Sequence, residues 1–204
     1  MGNVREFVNV RNIHIAKVTK DTEAEYTAAT PRYLAPAASV SQEVSVNSSP
    51  QYYDGVAKWT YDSEGVTTLT IAISGLGAED EAELLGKPFD TESGRVFDTG
   101  ECNPPKYAVS FEFEKGAGGS RFYQYLSGTF SKTKDEAETR TDSVTPKTAE
   151  LAYAATPTIH KFQIGAEQKG CKRIYGDTDT EHFSATGWFT EVQTPPDVVE
   201  TPEG

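Results

Sequence analysis

Three acidic residues at alternate positions are the first candidates for chemistry. The stretch GDTDTEHF, at residues 176–183, carries Asp177, Asp179 and Glu181, a spacing typical of the beginning of a calcium-binding loop. An EF-hand loop that starts at Asp177 needs glycine at its sixth position and glutamate at its twelfth. This chain has His182 and Trp188 at those positions. The pattern therefore favours a solvated strand edge or turn, with a weak cation site as the alternative.

A glycine-rich turn after the strand-like run VTTLTIAI is the second candidate. The stretch SGLGAEDEAELLG, at 74–86, has G-x-G before a helix, but the third glycine of a dinucleotide-binding turn is replaced by Asp80. The three carboxylates at 79–81 complement the helix dipole and oppose an anionic phosphate. The stretch therefore predicts a structural helix at about 78–86, ended by Gly86 in a left-handed cap.

The remaining nucleophiles and ligands form no catalytic pattern. The two cysteines, Cys102 and Cys171, have no sequence mark of a nucleophile, and a disulfide between them is a minor alternative to two reduced thiols. The three histidines are scattered, and neither an HExxH motif nor a P-loop nor a G-x-S-x-G elbow occurs. We therefore predict that the protein is not an enzyme and expect no catalytic residue, no metal site and no cofactor.

The charge of the chain argues against nucleic-acid binding. Its 204 residues contain 19 Lys plus Arg against 31 Asp plus Glu, for a formal net charge of -12. A phosphate-gripping surface works by releasing counterions from lysine and arginine, so we do not expect DNA to be held. The N-terminal sequence MGNVREFVNV has no apolar core of signal-peptide length, and no window approaches the ~20 apolar residues that span a bilayer. We expect neither export nor a membrane partner.

Short runs rich in Val, Ile, Thr, Tyr and Phe predict a mainly β fold. In VTTLTIAI the apolar residues Leu69, Ile71 and Ile73 alternate with small polar ones, and the run 107–114 alternates in the same way. One apolar and one polar face for each strand is typical of antiparallel sheets in a β-sandwich or flattened barrel. The glycines of GAGG, at 116–119, predict a hairpin between two long strands.

The chain reads as one domain with less regular parts around it. We expect a single β-sandwich domain at 1–187, which includes an N-terminal arm at 1–11. Long irregular stretches are expected at 47–64 and 131–147, and loops of this length favour functional or interface roles. The Pro-rich, acidic segment 188–204 is expected to be a flexible tail.

The order of these features resembles the major tail protein family of long, non-contractile phage tails. The matching set consists of a polar β-hairpin, an aromatic and acidic loop, and a strand leading to a short helix that ends E-L-L-G. Next come the strand P-x-Y-A-V-x-F, the motif R-F-Y-x-Y-x-x-G-x-F and a charged, threonine-rich loop. The resemblance covers roughly residues 8–160 and is specific as an ordered set. One departure is YYDG, which replaces the usual loop of the family.

This resemblance implies a tail tube subunit, with a β-sandwich and one flanking helix. Such subunits assemble as hexameric rings stacked into a hollow tube through which DNA passes during ejection. The implied partners are other copies of the chain and the tail tip, tape measure and tail terminator proteins. The implied location is the virion tail, with the host cytoplasm during assembly. The family supplies no catalytic residues.

Two sets of residues follow as hypotheses for the tube. The polar face of the strand at 39–46 is predicted to line the channel, because a wall without cations lets a polyanion slide; the alternative is an outward, solvated face. Its members are Ser39, Ser41, Glu43 and Ser45. Contacts between subunits are predicted at aromatic residues, which carry much interface energy. They are Phe7, Tyr52, Tyr53, Trp59 and Tyr61.

The same aromatic residues are also compatible with a second class of function, that of a binding module. The loop QYYDGVAKW, at 51–59, also suits a monomeric β-sandwich that binds carbohydrate or a cell-surface partner. Aromatic rings on a loop can cover a sugar ring as readily as a protein neighbour. The two readings differ in assembly, because a tube subunit forms rings whereas a binding module stays monomeric.

Overall fold

The structure is a computed structural model, and most of the residues that it describes lie in β-strands. The described residues are 6–101, 103–134 and 148–196. They form the strands β1 (Phe7–Asp21), β2 (Tyr26–Ala28), β3 (Arg32–Tyr33), β4 (Ala37–Tyr53), β5 (Val56–Ile73), β6 (Phe89–Asp90), β7 (Arg95–Val96), β8 (Tyr107–Lys115), β9 (Ser120–Tyr125), β10 (Gly128–Lys134), β11 (Ala149–Ala155), β12 (Lys161–Ile164), β13 (Glu167–Gly170) and β14 (Arg173–Asp177). One helix, α1 (Ala78–Leu85), follows β5. The predicted mainly β fold with one short helix is confirmed.

Two antiparallel sheets form the sandwich. The first sheet has the order β14-β9-β8-β1-β2, with β3 also paired to β1. The second has the order β10-β11-β5-β4, and the two small hairpins β6-β7 and β12-β13 lie apart from both sheets. A single bridge between Lys106 and Thr129 joins the sheets at one side. The β-sandwich or flattened barrel expected from the sequence is therefore the observed architecture.

The core lies between the two sheets and is rich in aromatic rings. Leu69, Ile71 and Ile73 of β5 are fully buried, as their alternation predicts. They face a cluster of buried rings in which Phe111 stacks on Tyr123 at 5.2 Å between ring centroids. The buried Tyr153 donates a hydrogen bond of 2.7 Å to the carbonyl of Tyr107, so the polar end of this ring is satisfied within the core.

The helix closes one end of the sandwich. Its buried side chains are Ala82, Leu84 and Leu85, and Glu81 pairs with Lys132 of β10 at 2.8 Å. Gly86 ends the helix with φ 67 and ψ 32, as predicted. A Cβ at this position would come within 2.2 Å of a backbone oxygen. Glycine is therefore required here both by conformation and by space.

The predicted hairpin at 116–119 is confirmed, but the polar face predicted for 107–114 is not solvated. β8 pairs with β9 in the register Glu114↔Ser120. Ala108, Ser110 and Glu112 of this polar face are all buried. The reason is that aromatic residues from the segment 183–189 cover this face of the first sheet. Phe183, Trp188 and Phe189 all contact the Phe122 ring, with centroids 5.7–6.0 Å apart.

The expected tail therefore begins later than 188. Trp188 is only 4% exposed, and its indole N–H donates to the carbonyl of Tyr123 at 3.2 Å. Further along, the carbonyl of Pro196 accepts a hydrogen bond from the amide of Gln163 at 2.9 Å. Segment 188–196 is thus packed on the body, and 197–204 lies outside the described residues.

The expected N-terminal arm and irregular stretches also need correction. β1 begins at Phe7, which lies opposite Lys115 of β8, so the described part of the arm at 1–11 is largely a strand. The stretch 47–64 is not a loop, because β4 and β5 pair across it down to Tyr53↔Val56. Of the stretch 131–147, residues 131–134 belong to β10, and the rest lies outside the described residues.

Candidate functional site

A long two-stranded ribbon extends from the second sheet. β4 has 17 residues and β5 has 18, but β11 pairs with β5 only from Ile73 to Thr67. Every residue from 45 to 64 is exposed, and we call this segment the ribbon. At about 3.3 Å per residue, the eight residues from 46 to 53 carry it about 25 Å beyond the body.

The base of the ribbon is held by Tyr125 of β9 and by two residues that follow β13. Gln42 of β4 accepts hydrogen bonds from the Tyr125 hydroxyl at 2.9 Å and from the Arg173 guanidinium at 3.2 Å. Lys172 pairs with Glu64 at 3.2 Å and donates to the carbonyl of Gly65 at 3.3 Å. These contacts fix the ribbon where it leaves the body. No local pattern indicates these contacts, because Gln42 and Arg173 lie 131 positions apart along the chain.

Three of the predicted contact residues lie on one face of the ribbon. Trp59 lies opposite Gln51, and Tyr61 lies opposite Ser49. Directly opposed residues share a face and alternate residues along a strand do so as well, so Tyr53 joins these two. The rings of Tyr53 and Trp59 meet edge to face at 5.7 Å. Tyr52 lies on the other face, and the four aromatic side chains are 51–67% exposed.

Phe7, the fifth predicted contact residue, lies elsewhere. It is 45% exposed at the start of β1, in the first sheet. Its ring lies 5.1 Å from that of Phe113, and the Arg121 guanidinium covers it at 5.3 Å. The structure therefore groups the aromatic residues of the ribbon and keeps Phe7 apart from them.

The predicted channel residues form part of a larger polar face. Ser39, Ser41, Glu43 and Ser45 are exposed on the outer face of the second sheet. The register extends this face across β5, β11 and β10 through small side chains. These are Thr68, Thr70, Ala72, Ala152, Ala154 and Ser131. Among the described residues of this face, Lys134 is the one positively charged residue. It lies opposite Glu150 at one margin of the face. The face is thus smooth, polar and poor in positive charge.

The three alternating carboxylates do not converge on a cation site. Asp177 accepts two hydrogen bonds from Arg121 at 2.7 Å, and the almost fully buried Lys115 pairs with Asp177 at 2.9 Å. The bonds from Arg121, and then those from Lys115, hold the Asp177 pKa at about 2 although burial opposes this. Lys115 also pairs with Asp179, whereas Glu181 is solvated. Nowhere in the described chain do three potential metal ligands form a group that could hold an ion. This supports a turn crosslinked by ion pairs.

The Cys171 thiol and the rings of His14 and His160 pack against other side chains. Cys171 is a free, buried cysteine, and burial raises its thiol pKa. Cys102 lies outside the described residues. His14 stacks on Phe189 at 4.8 Å, and His160 contacts the edge of Phe162 at 4.8 Å. In the described residues these side chains therefore occupy separate structural positions.

Neither a search for membrane-spanning helices nor a comparison with known proteins assigns a function. α1 has eight residues, and within 6–101, 103–134 and 148–196 no helix has the length and hydropathy needed to cross a bilayer. A comparison with models of known protein families finds no match, and a comparison with curated proteins finds none either.

Proposed function

We propose that this chain is the major tail tube subunit of a long-tailed, non-contractile bacteriophage. In this proposal it is a structural protein of the virion that assembles into hexameric rings, and the rings stack into a hollow tube. The observation that carries the proposal is the ribbon, which is exposed along its whole length and bears aromatic side chains. The resemblance of residues 8–160 to the major tail protein family supports the same function.

An exposed ribbon of this length needs a partner surface. A two-stranded hairpin alone is marginally stable in water. Tyr53, Trp59 and Tyr61 add apolar area on one face, and exposed aromatic patches mark interaction sites. The outer edge of β4 pairs with no other described strand, and open sheet edges invite pairing with another chain. A second copy of the same protein can satisfy both requirements.

The symmetry of such contacts accounts for a tube. The ribbon and the body are different surfaces, so contacts between them join copies head to tail. Head-to-tail contacts close into a ring when the rotation allows it and otherwise continue as a filament. Rings that also stack would form a tube of fixed diameter, with tail tip and tail terminator proteins at its ends and the tape measure protein inside.

The outer face of the second sheet supports the role of channel wall. Its described residues have mostly small side chains and are poor in cations, and so give DNA few sites at which counterions could be released. Ser39, Ser41, Glu43 and Ser45 would therefore line the channel, and DNA would pass without being bound. This role requires no catalytic residue, no cofactor and no membrane.

Electron microscopy of the purified protein tests the proposal. We expect annular particles or tubes with a central channel in negative stain at high protein concentration. The matched control replaces residues 47–63 with Asn-Gly, which forms a tight two-residue turn between strands. This variant should fold and remain monomeric. A wild-type protein that stays monomeric at every concentration would contradict the proposed function.

The exposed aromatic residues of the ribbon also support a second candidate function. Tyr52, Tyr53, Trp59 and Tyr61 are more than half exposed, and such rings can bind a carbohydrate. A glycan array and sedimentation velocity separate the two functions. A monomer that binds a glycan through these residues favours the binding module, whereas ring formation without glycan binding favours the tube subunit.

A further inference from the structure

A groove runs beside the last strand of the first sheet. It has a volume of about 550 Å³ and lies between β14, the β12-β13 hairpin and the chain at Pro195 and Pro196. Two of its apolar side chains are open to solvent, since Ile164 is 42% and Tyr175 is 55% exposed. Arg173 lines the groove and lies over the Tyr175 ring at 5.0 Å. We call this surface the β14 groove.

β14 leaves main-chain groups unpaired along this groove. Among the strands of the described residues it pairs only with β9, which makes it an edge strand of the first sheet. The bonds from Leu126 N to Lys172 O and from Thr178 N to Ser120 O identify the even-numbered residues as those that bond to β9. Because bonding alternates along an antiparallel strand, the N–H and C=O of Tyr175 point away from β9. An additional strand could bond to them.

Arg173 gives the groove an unmatched positive charge. Its guanidinium contacts the neutral side chains of Gln42 and Tyr125. Among the described carboxylates, none forms an ion pair with Arg173. An occupant of the groove should therefore bring a carboxylate next to apolar or aromatic side chains, because a charged and stacked guanidinium favours such a partner.

The tip of the ribbon has this combination of groups. Asp54 stands at the turn with a side chain that is 92% exposed, and its nearest cation is Lys58 at 3.7 Å. Tyr53 and Trp59 flank it with their rings in contact. All these residues are exposed, so the tip does not fill the groove of its own chain.

We propose that the β14 groove receives the tip of the ribbon of a second copy. Asp54 of one copy meets Arg173 of the next, and Tyr53 and Trp59 pack against Tyr175, Ile164 and the two prolines. This inference rests on the proposed function and deepens it by naming the two surfaces that join. The contact is head to tail, so each copy offers one tip and one groove.

Ile164→Glu, with Ile159→Glu as its control, tests the groove. Both isoleucines are exposed, at 42% and 51%, but only Ile164 lines the groove. We expect Ile164→Glu to raise the protein concentration needed for assembly by about tenfold or more, as at the centre of an interface. Ile159→Glu should change it by less than about twofold, as surface substitutions usually do. Equal assembly of the two variants would overturn the proposed contact.

Disulfide trapping tests the contact directly. The variant that combines Tyr53→Cys with Ile164→Cys, two residues that the proposal places in contact, should form covalent multimers under mild oxidation. The combination of Tyr53→Cys with Ile159→Cys should not, and Tyr53→Cys alone gives the background from native thiols. If wild-type tubes form but the first pair gives only background, the groove assignment is wrong while the tube function stands. If the wild type never assembles, the tube function itself fails.

Discussion

The body of the sandwich and the ribbon are built from the same two strands, yet they differ in what stabilises them. In the body, β5 also pairs with β11, the first sheet covers the inner face, and every alternate residue of β5 from Thr67 to Ile73 is buried. In the ribbon, both faces are exposed from 45 to 64. The body therefore has a core that stabilises it, whereas the ribbon has aromatic side chains but no core of its own.

This difference separates the residues that determine the fold from those that we propose to determine association. A change in the body should lower the free energy of unfolding of the monomer. A change in the ribbon should leave that quantity nearly unchanged and alter the concentration at which copies associate. Four variants test this separation, from the largest expected effect to the smallest.

Phe111→Ala should have the largest effect on the body. Phe111 is fully buried and stacks on Tyr123 and Tyr125 at 5.2 and 6.3 Å. We expect a loss of about 3–5 kcal/mol in the free energy of unfolding, because truncation leaves a cavity in the core. Urea denaturation of the monomer measures this free energy of unfolding. Phe97→Ala is the control, since Phe97 is 50% exposed, and similar losses in both variants would contradict the assigned core.

Trp188→Ala should also destabilise the body. It removes a buried ring from the outer face of the first sheet and leaves the carbonyl of Tyr123 without its indole donor. We expect a loss of about 3 kcal/mol in the free energy of unfolding. A value within about 0.5 kcal/mol of wild type would mean that the segment from 188 onwards does not belong to the folded domain.

Trp59→Ala should show the opposite behaviour from the other tryptophan. Trp59 is 61% exposed, so the monomer should keep its unfolding free energy to within about 0.5 kcal/mol. The concentration for assembly should rise about tenfold or more, which corresponds to about 1.4 kcal/mol of association energy. Sedimentation velocity measures assembly. Normal assembly of this variant would remove Trp59 from the interface.

Asp177→Asn should have the smallest effect, and the effect should depend on pH. The Asp177 pKa is lowered from 3.8 to about 2 by its bonds to Arg121 and Lys115. A lowered pKa in the folded state gives stability that is present above pH 4 and is lost as pH falls towards 2. Wild type should therefore exceed Asp177→Asn in stability at pH 7, and the difference should close towards pH 2.

Urea denaturation of both proteins at pH 7, 4 and 3 checks this dependence. Asp54→Asn, at the tip of the ribbon, is the control and should follow wild type throughout. A gap between wild type and Asp177→Asn that stays constant with pH would contradict the role of the ion pairs.

The sequence predicted the sandwich well where the pattern was local. The alternation of β5, the helix at Ala78–Leu85 and the hairpin at 116–119 depend on neighbouring residues, and all three are confirmed. The burial of Ser110 and Glu112 could not be predicted. It depends on Phe183 and Trp188, which lie more than 70 positions away along the chain and pack on Phe122, the residue of β9 that lies opposite Glu112.

For the candidate site, the residue types were informative but their geometry was not. The aromatic residues at 52–61 indicated a surface for a partner, and they are exposed. Asn47, Pro50 and Gly55 punctuate this stretch as turn residues do, and such residues favour a loop. Pairing with the facing strand overrides these propensities. The β14 groove combines three separate parts of the chain, so no local pattern could indicate it.

The irregular pairing of β4 and β5 changes the direction in which the faces of the ribbon point along its length. The register shifts between Val44 and Val46 and again between Gln51 and Tyr52, and both times the extra residue lies on β5. Each bulge adds right-handed twist. The serines near the body and the aromatic rings near the tip therefore share one surface that rotates along its length. In the proposed tube, this surface can therefore present polar side chains to the channel near the body and aromatic side chains to an adjacent subunit at the tip.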